Sequence, residues 1–479
     1  MEQKFVTYEA FGAVGDGKAD DMGAICAAHE YANREGLPVK ATPGAVYYIG
    51  GKDLTAVIKT NTDWNTATFI LDDRAVENRG QAIFRIPALY ETEEISLSSL
   101  EEEQSQFPIS LGYDAIVNVK DDTRHNYIRM GVNSDQGRAV SDAFVVSQSG
   151  EILNRIMWDY PTLTLATAKR IEDTPLVVSG GFFKTIANEM PSFYTYFDRN
   201  IQITRSRVTV KGVTHRVEGE GEHGAPYGGF IAVHSCAYFT LENCSLTGHK
   251  TFYTQGHGGM TPMGTYDINL HGCLFCTLRG VTQVPSIMDS TRWGLMGSNF
   301  CKNITLENCE MSRFDAHAGV TDSCVKGSKL GWQCVHAIGK GNFTILDSEI
   351  FGYSMVTLRY DYGGHWDGKL EIRNSVWHPT GDHPSVVVGH NPGTHDFGYV
   401  CKMPETVVIE NLRIADEQAN CQSYAMLSSY CDRPHTDLPF PYVPTKNLIY
   451  KGVKRDSGGE IVICRDPLLY PDLKTVCED

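Results

Sequence analysis

The chain has 479 residues, of which 42% are hydrophobic and 46 are glycine, and it carries a formal net charge of −16 with a pI near 5.5. That acidic balance argues against a nucleic-acid partner, because phosphate backbones call for a basic surface. No run of about 18 apolar residues is present, so no membrane-spanning helix is expected.

From the N-terminus, Met1-Glu-Gln-Lys-Phe-Val-Thr-Tyr8 contains no apolar signal core, which fits either a cytosolic protein or a mature form whose leader has been removed. Phe11-Gly-Ala-Val-Gly-Asp-Gly-Lys-Ala-Asp-Asp21 then reads as a glycine turn ending in an Asp N-cap, and Met22-Gly-Ala-Ile-Cys-Ala-Ala-His-Glu-Tyr-Ala32 as an amphipathic helix. Asp16, Asp20 and Asp21 resemble a catalytic or calcium cluster, yet capping and turn formation account for them. Strands begin at Pro43-Gly-Ala-Val-Tyr-Tyr48, so residues 1–84 are expected to form a cap and the first strands.

Residues 85–185 break the pattern. An acidic stretch, Glu91 to Glu103, precedes alternating segments such as Asp114-Ala-Ile-Val-Asn-Val119, Tyr127-Ile-Arg-Met-Gly131 and Leu163-Thr-Leu-Ala-Thr167, which predict an inserted β-rich subdomain. The main pattern resumes at Pro175-Leu-Val-Val-Ser-Gly-Gly-Phe-Phe183.

Residues 186–432 repeat. Phe239-Thr-Leu-Glu-Asn-Cys244, Ile304-Thr-Leu-Glu-Asn-Cys309, Phe343-Thr-Ile-Leu-Asp-Ser348, Leu370-Glu-Ile-Arg-Asn-Ser375 and Val407-Val-Ile-Glu-Asn-Leu412 are imperfect copies of one alternating strand followed by Asn or Asp. With two weaker copies anchored on Gln202 and Thr277, the anchors fall at 202, 240, 277, 305, 344, 371 and 408, in steps of 38, 37, 28, 39, 27 and 37 residues. Steps of that size predict a solenoid whose coils, each needing roughly 20 to 25 residues, carry loops of variable length. The Asn or Asp suits a turn whose side chain bonds backbone amides of the next coil. A solenoid grows in one dimension and so escapes the size limit of a single core. The alternative, a β-sandwich with coincidental similarity, does not explain the shared register. Residues 433–479, with the proline-rich Pro434–Pro444, are expected to form a tail packed on the solenoid.

Many of the 14 cysteines, including Cys244, Cys273, Cys309 and Cys324, sit in or beside repeat strands. Buried free thiols explain them better than a disulfide framework, which modestly favours a reducing, cytoplasmic setting over a secreted or periplasmic one. Cys273-Leu-Phe-Cys276 has metal spacing, but no second such pair follows and strand alternation separates the two thiols.

The segment Phe11–Tyr48 resembles the N-terminal cap of the pectate-lyase-like right-handed parallel β-helix superfamily. The resemblance covers about 40 residues and implies an all-β fold, a single-stranded right-handed parallel β-helix with a helical cap. It does not fix a function, because lyases, polygalacturonase-type hydrolases, epimerases and phage tailspikes share that cap. Of the polygalacturonase pattern only Gly256-His-Gly258 is present, the calcium-binding strands and Arg-X-X-Arg-X-Pro of pectate lyases are absent, and so is the Asp-Pro-His of alginate epimerases. No metal or other cofactor is expected.

Equal offsets from the anchors should stack about 4.8 Å apart on neighbouring coils. They bring His249 and Lys250, Asp289 and Arg292, Asp315 and His317, and Tyr353, Arg359 and Asp361 to roughly one face. With Arg313, Trp293, Tyr360, Tyr362, His365 and Trp366 nearby, the pattern suits a carbohydrate groove, since rings stack on sugars and polar groups hold hydroxyls and carboxylates. Two chemistries are open. A polysaccharide lyase acting on a uronate would use Arg292 and Arg359 on the carboxylate, His317, His249 or Lys250 as base, and Tyr353 or Tyr360 as acid. A glycoside hydrolase would use paired carboxylates, Asp315 and Asp361, with Asp289 or Asp322 in reserve. Lyase chemistry is the primary expectation and hydrolysis the alternative, and a tailspike-like protein that binds glycan without turnover is a third reading. The expected partner is a poly- or oligosaccharide, anionic in the lyase case. A homo-oligomer is compatible with all three.

Overall fold

The computed structural model describes residues 5–477 apart from 103, 131–135, 193–194, 257–258, 294–295, 390, 392, 418, 430–437 and 466. Short strands dominate it, with one α-helix, Met22–Glu35, among the described residues. The chain divides into two compact units, Met1–Glu91 with Ile171–Cys273 and Thr277–Met296, and Thr92–Arg170 with Leu274–Cys276 and Gly297–Asp479.

In the first unit each coil supplies three short strands. Ile201–Ile203, Val208–Lys211 and Thr214–Glu218 form one coil, Ile231–His234, Thr240–Glu242 and Ser245–Thr247 the next, and Ile268–His271, Thr277–Arg279 and Thr282–Val284 a third. Equivalent strands pair in parallel, as Ile231 with Ile268 and Thr240 with Thr277. The alternation turns Ile203, Val210, Leu241, Leu246, Leu270 and Leu278 fully inward, and rungs stack like on like, as in the Phe69–Phe183 ring pair with centroids 4.7 Å apart. This is the parallel β-helix that the repeats predict.

The helix begins and ends near the expected points, with Gly36 closing it in the left-handed region at φ 67°. Asp21, however, makes no side-chain cap. Its carboxylate accepts the amides of Val14 (2.7 Å) and Gly15 (3.2 Å) instead, and Asp20 takes the Met22 amide. Asp16 binds the amides of Lys18 and Ala19, so all three carboxylates shape the turn.

In the second unit, Ala115–Asn126, Arg138–Val146, Leu165–Arg170 and Thr92–Glu94 build an antiparallel sheet of four strands. It has its own core around Val117, Phe144, Ile156 and Tyr160. The remaining strands form parallel coils. Thr305 pairs with Cys324, Cys324 with Thr344, Thr344 with Glu371 and Glu371 with Val408.

That register corrects one step and one anchor. The 39-residue step from 305 to 344 is two coils, of 19 and 20 residues, because Ser323-Cys-Val-Lys326 is a copy in its own right. Gln202 lies on a different face, paired with Ala232 and Arg85, and the residue in register with Thr240 is Thr209. Beyond 440 the chain adds further rungs, Val408 to Ile449 to Val476, where a packed tail was expected.

The conserved position of the repeat has a backbone cause. Asn243, Asn308, Asp347, Asn374 and Asn411 all have φ between 49° and 53°, the left-handed conformation that Asn and Asp tolerate better than other side-chain-bearing residues. In the last three of these coils the side chains bond one another from coil to coil: Asn374 donates to Asp347 at 3.3 Å and Asn411 to Asn374 at 2.9 Å. The described cysteines are free, with Cys236, Cys244, Cys309 and Cys334 among the buried ones. No described helix is long and apolar enough to cross a membrane. Of Gly256-His-Gly258, the last two residues lie outside the described part, as do 434–437 of the proline-rich segment.

Candidate functional site

The residues singled out from sequence fall into two clusters, one in each unit. In the second unit, strand Phe314–Lys326 follows Arg313 and begins an alternation that sets Asp315 and His317 in step with it. Asp315 pairs in register with His336, and His336 with Thr357. Two residues after Thr357 stands Arg359, followed by the 3-10 turn Tyr360–Tyr362, which Gly363 closes at φ 84°. Stacking of coils therefore explains why residues 44 positions apart meet.

The meeting is an ion network. Arg313 Nη2 lies 2.6 Å and Arg359 Nη1 2.8 Å from Asp315. Arg359 also binds Asp361 through Nε (3.1 Å) and Nη2 (3.0 Å), and Arg129 reaches Asp361 at 2.8 Å. Burial by itself would raise the Asp315 pKa, but Arg313 and Arg359 outweigh it and hold the carboxyl far below the usual range. Asp361 follows the same logic, burial opposed by Arg359 and Arg129, with a net lowering. Both are therefore carboxylates at neutral pH.

Histidines respond oppositely. His317 is pushed down to about 4 by burial and by the Arg359 charge, and His336 to about 3 by burial and Arg313. The imidazoles are neutral. His317 Nδ1 lies 3.2 Å from Asn299 Oδ1, and since a carbonyl oxygen only accepts, Nδ1 carries the proton and Nε2 keeps its lone pair. Three guanidiniums face two carboxylates here, a local surplus of one positive charge in a chain of net −16.

Around this network lies an aromatic group. Tyr127 packs on Phe300, Tyr362 and Tyr399 with centroids 5.2, 6.1 and 5.6 Å apart, and the His317 and Tyr362 rings are 6.5 Å apart. Arg129 and Arg359 sit over Tyr362 at 5.7 and 6.0 Å. Burial raises the Tyr362 phenol, which stays protonated. Tyr127 has φ 53°, an uncommon conformation for an aromatic residue and a form of strain that clusters at functional sites.

Of the other candidates of this unit, Tyr360 borders that network and the rest stand apart from it. Trp366 is 1% exposed and its indole donates to the Gly341 carbonyl at 3.0 Å, so it is a core residue and offers no face to a sugar. His365 is also buried, its Nδ1 accepting the Lys402 amide. Tyr360 is 58% exposed beside the network, whereas Tyr353 packs over Gly381, where a Cβ would come within 3.0 Å of the ring. Asp322 bonds the Asn342 amide and Arg155. Sequence reasoning missed Arg129, Asn299, His336 and, of the aromatic group, Tyr127, Phe300 and Tyr399. Arg129 follows the long antiparallel strand, outside any repeat register, so no offset could have located it. His336 was findable, since it lies one coil after Asp315.

In the first unit, His249, Lys250, Asp289, Arg292 and Trp293 belong to a second network. Glu220 accepts from His249 Nδ1 (3.3 Å), the Lys250 amide (2.8 Å) and Arg292 Nη1 (3.3 Å). Arg292 also contacts Asp289 at 3.2 Å and the Gly248 carbonyl. Lys250 Nζ donates to the Gly221 carbonyl at 3.1 Å. Trp293 lies over Gly264, where an added Cβ would fall 1.7 Å from the ring. Deeper in, His215 Nδ1 is 3.1 Å from Asp267 Oδ2, and Arg199 and Asp73 form a fully buried pair at 2.9 Å. The carboxylate and imidazole atoms of His215, His249 and Asp267 all lie within 4.8 Å of one another, close enough to hold a metal ion.

No protein-family model matches the sequence, and no curated protein does. Solved structures do match. The tailspike gp61 of Pseudomonas phage phi297 superposes with a TM-score of 0.56 at 13% identity, over 99% of this chain and 84% of that one. The tailspike protein gp49 of Pseudomonas phage LKA1 gives 0.52 at 12% identity, over 98% and 84%. Identities that low bear on the fold, which is the right-handed parallel β-helix.

Proposed function

We infer that this chain, a right-handed parallel β-helix of the pectate-lyase-like superfamily, acts on a glycan, and that it cleaves a uronate-containing polysaccharide by β-elimination at the cluster around His317. The carrying observation is the neutral His317, with Nδ1 hydrogen-bonded and Nε2 left as an acceptor, beside carboxylates that arginines keep ionised. Elimination needs the uronate carboxylate neutralised so that the C5 proton becomes removable, a base to take it, and an acid for the departing oxygen. In this reading Arg129 and Arg359 face the carboxylate and His317 Nε2 takes the C5 proton. The C5–H electron pair then forms the C4–C5 double bond as the C4–O bond breaks. Tyr362, or the exposed Tyr360, protonates the leaving oxygen. Arg292 and Lys250, proposed from spacing as parts of the same site, are assigned instead to the first unit's network.

Hydrolysis through Asp315 and Asp361 fits less well. A hydrolase of that kind needs one carboxyl kept protonated by a raised pKa, and both of these are lowered. Binding without turnover has one observation in its favour, that the two fold relatives above are tailspikes. The variant His317→Gln separates the readings. Elimination should fall by about 100-fold or more if His317 is the base, while glycan binding is retained; equal loss of binding and turnover would make His317 a binding residue, and unchanged elimination would remove it from the mechanism.

A further inference from the structure

We propose that His215, His249 and Asp267 of the first unit form a structural site for a divalent transition-metal ion, zinc being the chemistry that two imidazoles and one carboxylate suit best. All three are at most 1% exposed. They come from successive coils: His215 from strand Thr214–Glu218, His249 two residues beyond Ser245–Thr247, and Asp267 immediately before Ile268–His271.

Asp267 is the anomaly that calls for a cation. A fully buried carboxylate needs charge compensation and hydrogen bonds, yet no lysine or arginine among the described residues lies within ion-pair distance of it, and its Oδ1 has no hydrogen-bond partner. Facing it are His215 Nδ1, 3.1 Å from Oδ2, and His249 Nε2, 3.8 Å from Oδ1. A tetrahedral zinc with bonds of about 2.0–2.1 Å spaces its ligands roughly 3.3 Å apart; the three ligand atoms here lie within 4.8 Å of one another, so binding would draw the imidazoles and the carboxylate inward around the ion.

The far sides of the two rings support the same assignment. His249 turns Nδ1 to Glu220 Oε1 at 3.3 Å, and His215 turns Nε2 to Thr185 Oγ1 at 2.9 Å. Ligating histidines characteristically bond a carboxylate or other polar group through the second nitrogen, which orients the ring and fixes the tautomer. The rings are also clamped by stacking, His249 on Tyr227 and His215 on Phe230, each at 3.9 Å between centroids. Buried this deeply, the ion would stitch three coils together and take no part in the chemistry around His317.

The test uses the full chain, stripped with chelator and dialysed against zinc or cobalt(II). The expected result is about one metal per chain, a thermal midpoint several degrees higher with metal than without, and a cobalt spectrum with visible d–d bands but no thiolate charge-transfer band. Asp267→Asn and His215→Gln should each abolish the metal-dependent shift, and Glu220→Gln should weaken binding by about 10–100-fold. A folded wild-type chain that retains no stoichiometric metal overturns the proposal and leaves Asp267 with the His215 contact alone. A thiolate band, or full binding by Asp267→Asn, overturns it by placing the metal elsewhere.

Discussion

At the scale of single residues, the site is decided by which charges are clamped. Asp315 is fully buried between Arg313 and Arg359, so its role is to hold Arg359 in place. Asp315→Ala would remove the carboxylate facing the buried Arg313 and one of the two that hold Arg359, and should cost about 3–5 kcal/mol of stability, measurable as a lower denaturation midpoint. His317 predicts a pH dependence. Its pKa of about 4 means the base is active when deprotonated, so kcat/KM should rise with pH through about 4 and be level by pH 6; an acid limb centred near 6.5 would mean an unperturbed histidine. That Arg313, Asp315, His317, Arg359, Asp361 and the Tyr360–Tyr362 turn lie together was legible because they follow stacked strands at similar offsets. Arg129 was not, because an antiparallel excursion with its own core delivers it. Trp366 was misread, since strand alternation alone does not say which of two faces is solvated.

The element that makes the fold readable is the six-residue repeat whose fifth position is Asn or Asp. Its signal is doubled: alternation builds the second unit's inner row of Leu306, Ile345, Ile372 and Ile409, and the left-handed turn demands a residue that tolerates positive φ. Asn411→Ala should therefore cost about 1–2 kcal/mol, while Asn411→Gly should be nearly neutral except for the lost bond to Asn374. Equal destabilisation by both would show that the side-chain ladder, not the backbone, sets the preference. The same reasoning shows why one coil escaped notice. At Ser323-Cys-Val-Lys326 the turn position is Gly327, φ 57°, which meets the backbone demand without the Asn signature. Asp21 was misjudged for a related reason: a helix N-terminus and a glycine turn compete for the same carboxylate, and the turn took it.

For the whole molecule, charge and acid response carry the testable consequences. A chain of net −16 repels an anionic polymer at long range although its site is locally positive. Turnover at low substrate should therefore increase as ionic strength rises from about 0.01 M, where the Debye length is about 30 Å, to 0.15 M, where it is about 8 Å. A monotonic fall would mean the local contacts dominate. Acid should destabilise the fold. Burial lowers the His29 pKa to about 3, below the ordinary value near 6.5, so the preference for a neutral ring contributes fully above pH 6.5 and is lost progressively as pH falls towards 3. His29→Gln should flatten that part of the stability profile. The most direct measurement of the central claim is the ultraviolet absorbance of unsaturated uronate during incubation with alginate, pectate and glycosaminoglycan polymers, with reducing ends assayed in parallel. The account predicts that absorbance and reducing ends rise together on one of these polymers and that both vanish in His317→Gln. New reducing ends without the absorbance would contradict it and return the chemistry to a hydrolase.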